Sequence, residues 1–492
     1  MKAINHTFLF LLVIFFQCQT PAPIESGILI KGATIIDGTG SEPFKGDIRI
    51  LNGRILEMGE LKENSGDSVI DATGLILSPG FIDTHSHHDA DPERTVEAAI
   101  SQGITTIVIG QDGGSHILLG NFFDSLSTLP SSVNIASYVG HNTIREQVME
   151  EDFKRTATEA EIAEMKKLVE WEMKDGALGL STGLEYDPGI YSTTEEVIEL
   201  AKVAAENGGR YISHMRSEDV GLEKSIYEII RISKEAKIPV QISHFKLARK
   251  SLWGQADKIL AILDSARTAG IEITADMYPY QYWQSTMTVL FPNRDFDNRA
   301  SAEFALNELT SADGMIIDRF NAHSDYEGKT LAEIAKIRKE DPATTYMELI
   351  RLSQETPGES IIAKSMDEED IKTLTRWPYT NLCSDGAHRG HPRGWGAFPK
   401  YLNMETGESI AMKIHKMTGQ AAENIGLEDI GILKEGAYAD LILFDPDNFK
   451  DQADYKNSTA KATGLRLVMV SGEIVYEKGE ATSVYSGRVL KR

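Results

Sequence analysis

The chain has 492 residues, 74 acidic against 50 basic, for a net charge of −24 and only two cysteines. That length exceeds one ordinary domain and suits a large core with a smaller companion. The acidity, with no basic stripe anywhere, excludes a nucleic-acid groove, and the ordinary composition excludes wholesale disorder.

Met1-Lys2 precedes a short apolar run from Phe8 to Phe16. The run is too short to span a bilayer and fits the core of a signal peptide over residues 1–20. The chain is therefore expected to be exported, to the periplasm or the cell surface, with no transmembrane span. Cys18 follows the run at once and is a candidate lipid anchor; simple cleavage is the alternative. Phe15-Phe16-Gln17 is a poor lipoprotein signal, which prefers small residues there. After processing only Cys383 is certain to remain, so no internal disulfide is expected.

Residues 27–78 read as short strands. Asp47-Ile48-Arg49-Ile50 alternates, Asn52-Gly53 signals a hairpin, and Arg54 to Met58 follows. Residues 427–492 share this style. Ala439 to Phe444 reads as one strand, and Leu467 to Val470 and Ile474 to Tyr476 flank the tight turn Ser471-Gly472-Glu473. Both segments are predicted to pair into one small β domain.

Between them, over 79–426, the pattern is strand, loop, helix, repeated. Thr193-Thr194-Glu195-Glu196 predicts a capping box opening a helix through Ala205, with Gly208 as its stop. Further helices are predicted over Glu223 to Lys237 and Ala256 to Thr268. The short strands between run into His214, His244, Asp276 and Asp385. Such alternation argues for parallel strands with crossover helices. Polar residues at successive strand ends favour a (β/α)8 barrel, whose active site is built at that face. A doubly wound sheet would favour a Gly-rich phosphate turn after the first strand, where His85-Ser86-His87 stands instead. Residues 293–365 break the rhythm. They are polar, with a helical stretch from Lys329 to Lys339, and read as an insertion over the barrel mouth or as peripheral helices of its wall.

The chemistry starts at Pro79-Gly80-Phe81-Ile82-Asp83-Thr84-His85-Ser86-His87. Residues two apart in a strand share a face, so His85 and His87 aim at one point. Alone, the pair is a metal site or a chance polar turn. Asp112, His214, His244 and Asp385 also follow short apolar runs, and together they point to a metal site. Imidazole and carboxylate donors suit zinc first. Beside these strand-end donors a Ser-His-Asp hydrolase reading competes poorly. Lys246, two residues past His244, faces the same mouth, and Arg393 can grip a carboxylate with two donors.

These residues resemble the amidohydrolase superfamily, and more closely its N-acyl-D-amino-acid deacylase (D-aminoacylase) family. The matching stretches include Gly176-Ala177-Leu178-Gly179-Leu180-Ser181-Thr182-Gly183, Tyr211-Ile212-Ser213-His214, Ile242-Ser243-His244-Phe245-Lys246 and Asp276-Met277-Tyr278-Pro279-Tyr280. Ser384-Asp385-Gly386 with His391-Pro392-Arg393, and the ending Ser486-Gly487-Arg488, continue it, so the resemblance covers nearly the whole mature chain. It implies an α/β fold: a metal-dependent (β/α)8 barrel with a small β domain from both ends. It implies hydrolysis of an N-acylated D-amino acid, a small-molecule partner, with one or two Zn2+ ions. His214, His244 and a bridging side chain would hold the tighter zinc, and His85 and His87 a weaker second. Asp385 would move the proton, while Lys246, Tyr278 and Arg393 would clamp the substrate carboxylate.

The chain departs from the family at the bridge. Many relatives carry Cys in Gly-Asn-Cys-Gly, where this chain reads Gly110-Gln111-Asp112-Gly113. A carboxylate can bridge too, so Asp112 is the expected replacement. It is harder than a thiolate, which leaves metal preference and ion number open. A D-dipeptidase or a cyclic-amide (dihydroorotase-like) hydrolase would use the same machinery, and an exported binding protein without catalysis is the reading of another class.

Overall fold

The structure, a computed structural model, describes residues 27–88, 94–291 and 293–492. The expected signal peptide and Cys18 lie outside the described residues. No described helix is long and apolar enough to cross a membrane.

The two chain ends meet in one nine-stranded sheet. Its N-terminal half holds Ile28–Ile35, Phe44–Leu51, Arg54–Gly59, Ser68–Asp71 and Ile76–Pro79. Its C-terminal half holds Leu441–Phe444, Leu465–Val470, Glu473–Glu477 and Glu480–Ala481. The seam is antiparallel: Leu441 faces Pro79 and Phe444 faces Ile76. Asn52 and Gly53 turn the first hairpin with φ of 50° and 78°, the left-handed geometry that matches strand twist. Ser471 and Gly472 turn the last long hairpin in the same way, with φ of 50° and 81°. Alternate residues from both halves, among them Ile30, Ile35, Leu77, Leu441, Leu443 and Met469, make its buried core.

The barrel follows in eight parallel steps. Its strands are Phe81–Asp83, Ile104–Ile109, a broken third strand of Asn134–Ser137 and Val139–Gly140, and then Gly179–Gly183, Arg210–His214, Val240–Ile242, Ile273–Met277 and Thr380–Leu382. The strands read as continuous apolar runs because helices cover them outside, as in Ile104–Ile109, where every residue is buried. The eighth and first strands close the ring through side chains and loop backbone. Ser384 N–H and Oγ–H donate to the buried Asp83 carboxylate at 2.8 and 2.5 Å, and Asp385 N–H donates to the His85 carbonyl at 2.9 Å.

The expected helices form at Thr194–Glu206, Leu222–Ala236 and Ala256–Thr268. Only half of the expected capping box forms. Thr193 accepts from Glu196 N–H at 3.1 Å, but the Glu196 side chain turns inward. It lies 2.9 Å from His141 Nε2 and accepts from Arg145, a buried ion pair that outcompetes the cap.

The irregular region holds more β structure than its composition suggests. Tyr282–Ser285, Met315–Phe320 and Glu359–Lys364 form a three-stranded antiparallel sheet, with helices Leu331–Arg338 and Pro342–Glu355 beside it. A bulge between Ile317 and Arg319 breaks the alternation that would have marked the strand. This unit opens at Tyr282, upstream of residue 293. Trp283, Gln284 and Ser285, then Val289 and Leu290, reach the cavity at the barrel mouth.

Candidate metal and substrate site

The site residues stand at the C-terminal ends of their strands. His214 is the last residue of the fifth strand, and His244 stands two residues past the sixth. Asp112 and Asp385 stand three residues past the second and eighth. Three of these four sit in the left-handed region, with φ of 53° at Asp112, 35° at His244 and 47° at Asp385. Non-glycine residues adopt that conformation at a cost of about 1–3 kcal/mol each, and such strain clusters where function fixes geometry. Here it swings each side chain inward over the barrel end. Gly110 lets the second strand turn: a Cβ there would lie 2.3 Å from the Tyr138 carbonyl oxygen.

The result is one cluster. His85 Nε2, His87 Nε2 and His244 Nε2 each lie 3.4 Å from an Asp112 oxygen. Asp385 Oδ1 lies 3.6 Å from His85 Nε2 and 3.3 Å from His87 Nε2. His214 Nδ1 is 2.9 Å from His244 Nε2. Two overlapping ligand groups result, His85–Asp112–His244–Asp385 and His214–Glu218–His244, each with donor atoms within 4.8 Å of one another. His244 belongs to both. His87 stands at the rim, its side chain 35% exposed, whereas His85 is wholly buried.

The electrostatics call for a cation. Burial pushes the Asp112 carboxyl up, but His85 and His244 hold it well below the usual carboxylate range. Burial likewise opposes Asp385, and Arg393, His244, His87 and His85 hold it far down. Burial and Lys246 push the His244 ring down, yet Glu218, Asp112 and Asp385 raise it from 6.5 to about 10. Burial opposes His87 too, which Asp112 and Asp385 keep well above its ordinary value. The ionised carboxylates thus draw protons onto the imidazoles, which a divalent ion would displace. Both ring nitrogens of His85 and Oδ1 of Asp112 are buried without a hydrogen-bond partner among the described residues. Buried polar atoms are almost always satisfied, so these orphaned nitrogen and oxygen donors, of the types zinc takes, fit a metal ion.

The remaining expected residues line the same cavity, of about 230 Å³. Arg393 Nη1 lies 2.7 Å from Asp385 Oδ2, and its guanidinium sits 4.6 Å over the Tyr278 ring. Arg393 Nε and the Tyr278 hydroxyl have no hydrogen-bond partner among the described residues. Lys246 is placed differently from a waiting clamp residue: its ammonium donates to both oxygens of Glu218, at 2.7 and 2.6 Å.

Two carboxylates of the site, Glu218 and Glu185, escaped the sequence reading. Glu218 follows His214 by four residues in a loop, with no periodicity to mark it. Glu185 lies 2.9 Å from His214 Nε2, beside Tyr186, whose hydroxyl is 3.1 Å from His214 Nδ1. Asp276 was visible as a strand-end residue, and its role is structural support. It accepts from His244 N–H at 2.6 Å and from Gln241 at 2.5 Å, fixing the backbone that carries His244.

Residues 371–476 match the amidohydrolase family profile. Over nearly its whole length the chain is similar to D-aminoacylase of Alcaligenes xylosoxydans xylosoxydans, 32% identical with 94% of this chain and 97% of the relative covered. The N-acyl-D-aspartate deacylase of the same organism is 32% identical, covering 95% and 96%. The solved structure of N-acyl-D-glutamate deacylase from Bordetella bronchiseptica, in complex with zinc and a phosphonate inhibitor, superposes with a TM-score of 0.85. It is 30% identical, with 95% of this chain and all of that one covered. With such identity along nearly the whole chain, on a barrel mouth that gathers four histidines and two aspartates, the chain belongs to the N-acyl-D-amino-acid deacylase family of the amidohydrolases.

Proposed function

We propose that the chain hydrolyses the amide bond of an N-acyl-D-amino acid, releasing a carboxylic acid and a D-amino acid. One observation carries it: the partnerless buried donors of His85 and Asp112 inside a cluster completed by His87, His214, His244 and Asp385. These six residues would hold one or two divalent ions, zinc first, as in the zinc-bound deacylase to which the chain is similar. Bound there, a divalent ion supplies Lewis acidity toward the amide carbonyl and lowers the pKa of water.

The chain's own residues do the rest. Asp385 is ionised and turned toward the cluster, so it can accept the proton of the attacking water. Asp385 can then pass that proton to the departing amide nitrogen. Arg393 and Tyr278 offer the substrate's α-carboxylate the donors that the protein leaves unused. Lys246 completes this clamp, its charge shared with Glu218. Ala248, Trp283, Val289 and Leu290 provide the apolar wall for the substrate side chain. The test is a panel of N-acetyl-D-amino acids, their L-isomers, D-dipeptides and cyclic amides, with and without chelator. Turnover restricted to D-dipeptides or cyclic amides would replace this reading.

The apolar run behind Met1-Lys2 supports export, with Cys18 either lipidated or removed. Cell fractionation with radiolabelled fatty acid separates the two, and a cytoplasmic product of full length would contradict both.

A further inference from the structure

We infer that Glu218 is a positioning residue: it decides which nitrogen of His244 carries the proton, and so whether the other nitrogen can bind a metal ion. The inference rests on the metal reading above. Glu218 is 6% exposed, in the loop after the fifth strand. Its Oε1 lies 3.0 Å from His244 Nδ1 and 2.7 Å from Lys246 Nζ, and its Oε2 lies 2.6 Å from Nζ. Lys246 Nζ is itself 2.7 Å from His244 Nδ1. Three groups therefore form a triangle, and His244 Nδ1 has two suitors of opposite kind.

An ammonium can only donate, and a carboxylate can only accept. If Lys246 donates to Nδ1, the neutral ring must carry its proton on Nε2. Nε2 is the atom that faces Asp112 at 3.4 Å and His214 at 2.9 Å, at the centre of the cluster. With a proton there it has no lone pair for a metal ion. If Glu218 accepts from Nδ1–H, Nε2 keeps its lone pair and becomes a ligand, an arrangement that carboxylates commonly impose on ligating histidines. Glu218 favours the second state twice over. It accepts from the ring, and it engages the ammonium of Lys246 with both oxygens, leaving less of it to donate to Nδ1. The residue that grips the substrate carboxylate is thus a latent competitor of a metal ligand, and Glu218 holds the two apart.

The experiment is zinc affinity by competition with a chromophoric chelator on metal-free full-length protein. The variants are wild type, Glu218→Gln, Lys246→Met and the double variant, with melting curves to verify folding. Glu218→Gln should weaken zinc binding by about 10–100-fold, the usual effect of removing such a partner. Lys246→Met alone should bind zinc close to wild type. The double variant should regain most of the lost affinity, because the Gln carbonyl can accept from Nδ1–H once no ammonium competes. Glu218→Gln binding zinc as tightly as wild type would overturn the inference. So would a double variant as weak as Glu218→Gln, which would make Glu218 a ligand or a purely structural residue. Wild type that binds no zinc at all would instead remove the metal reading itself, and this inference with it. Should Glu218→Gln fail to fold, the ring ¹⁵N shifts of His244 in zinc-loaded wild type decide: a protonated Nδ1 and a metal-shifted Nε2 support the inference, and the reverse overturns it.

Discussion

The floor and the roof of the cavity are built on opposite principles. The floor is made of strand ends, where Asp112, His214, His244, Lys246 and Asp385 hold one another through charge at distances of 2.6–3.6 Å to their neighbours. The roof comes from the inserted sheet, where Trp283, Val289 and Leu290 contribute surface and no charge. The floor is interlocked, because Asp112, Asp385 and Glu218 each face two or more imidazole or cationic side chains. The charged groups of the cavity thus come from the barrel, and most of its apolar wall from the insertion.

The floor should break first and hardest. Asp385→Asn keeps the shape but removes the proton acceptor, and kcat on the best N-acyl-D-amino acid should fall about 10²–10⁴-fold. Next comes an ordering within the cluster. His244 serves both ligand groups and His87 stands at the rim. Metal analysis should therefore find most bound zinc lost from His244→Ala and much retained by His87→Ala; equal losses would contradict this geometry. Arg393→Lys keeps the charge beside Asp385 but removes the planar fork over Tyr278. It should raise KM by about tenfold or more, with a smaller loss in kcat.

A pH effect sharpens the same comparison. In the metal-free protein the folded state raises the His244 pKa from 6.5 to about 10. A raised folded pKa contributes stability that is present below the unfolded value and lost as pH rises through the folded one. Metal-free protein should therefore melt at lower temperature at pH 10 than at pH 6.5, and zinc should shrink the difference. A metal-free protein that gains stability over that range would contradict the assignment. The roof should give the smallest effect on chemistry: Trp283→Ala should redistribute KM among D-amino acid side chains while kcat on the best of them changes less than about threefold.

How much of this was legible depended on the kind of signal. The barrel was legible because its strands are short apolar runs, each ending in a residue that apolar burial would not choose, such as His214 or Asp276. The terminal sheet was legible from alternation and from Asn52-Gly53 and Ser471-Gly472. The inserted sheet was not, since the bulge at Ile317 and Arg319 spoils its period and its partners lie far apart in sequence. Glu218 was not legible either. A lone loop carboxylate carries no pattern, and only folding brings it onto Lys246 and His244. For the same reason Lys246 read as a clamp residue without its partner Glu218. Pairing across loops is written in three dimensions and in no spacing along the chain.

The most direct test of the central claim is turnover of N-acetyl-D-amino acids by purified protein, stripped of metal and then reloaded with zinc. The account predicts hydrolysis of at least one D-substrate, its loss on stripping, and its return with zinc at one or two ions per chain. Failure to hydrolyse any N-acyl-D-amino acid, or full activity in the stripped protein, would contradict it.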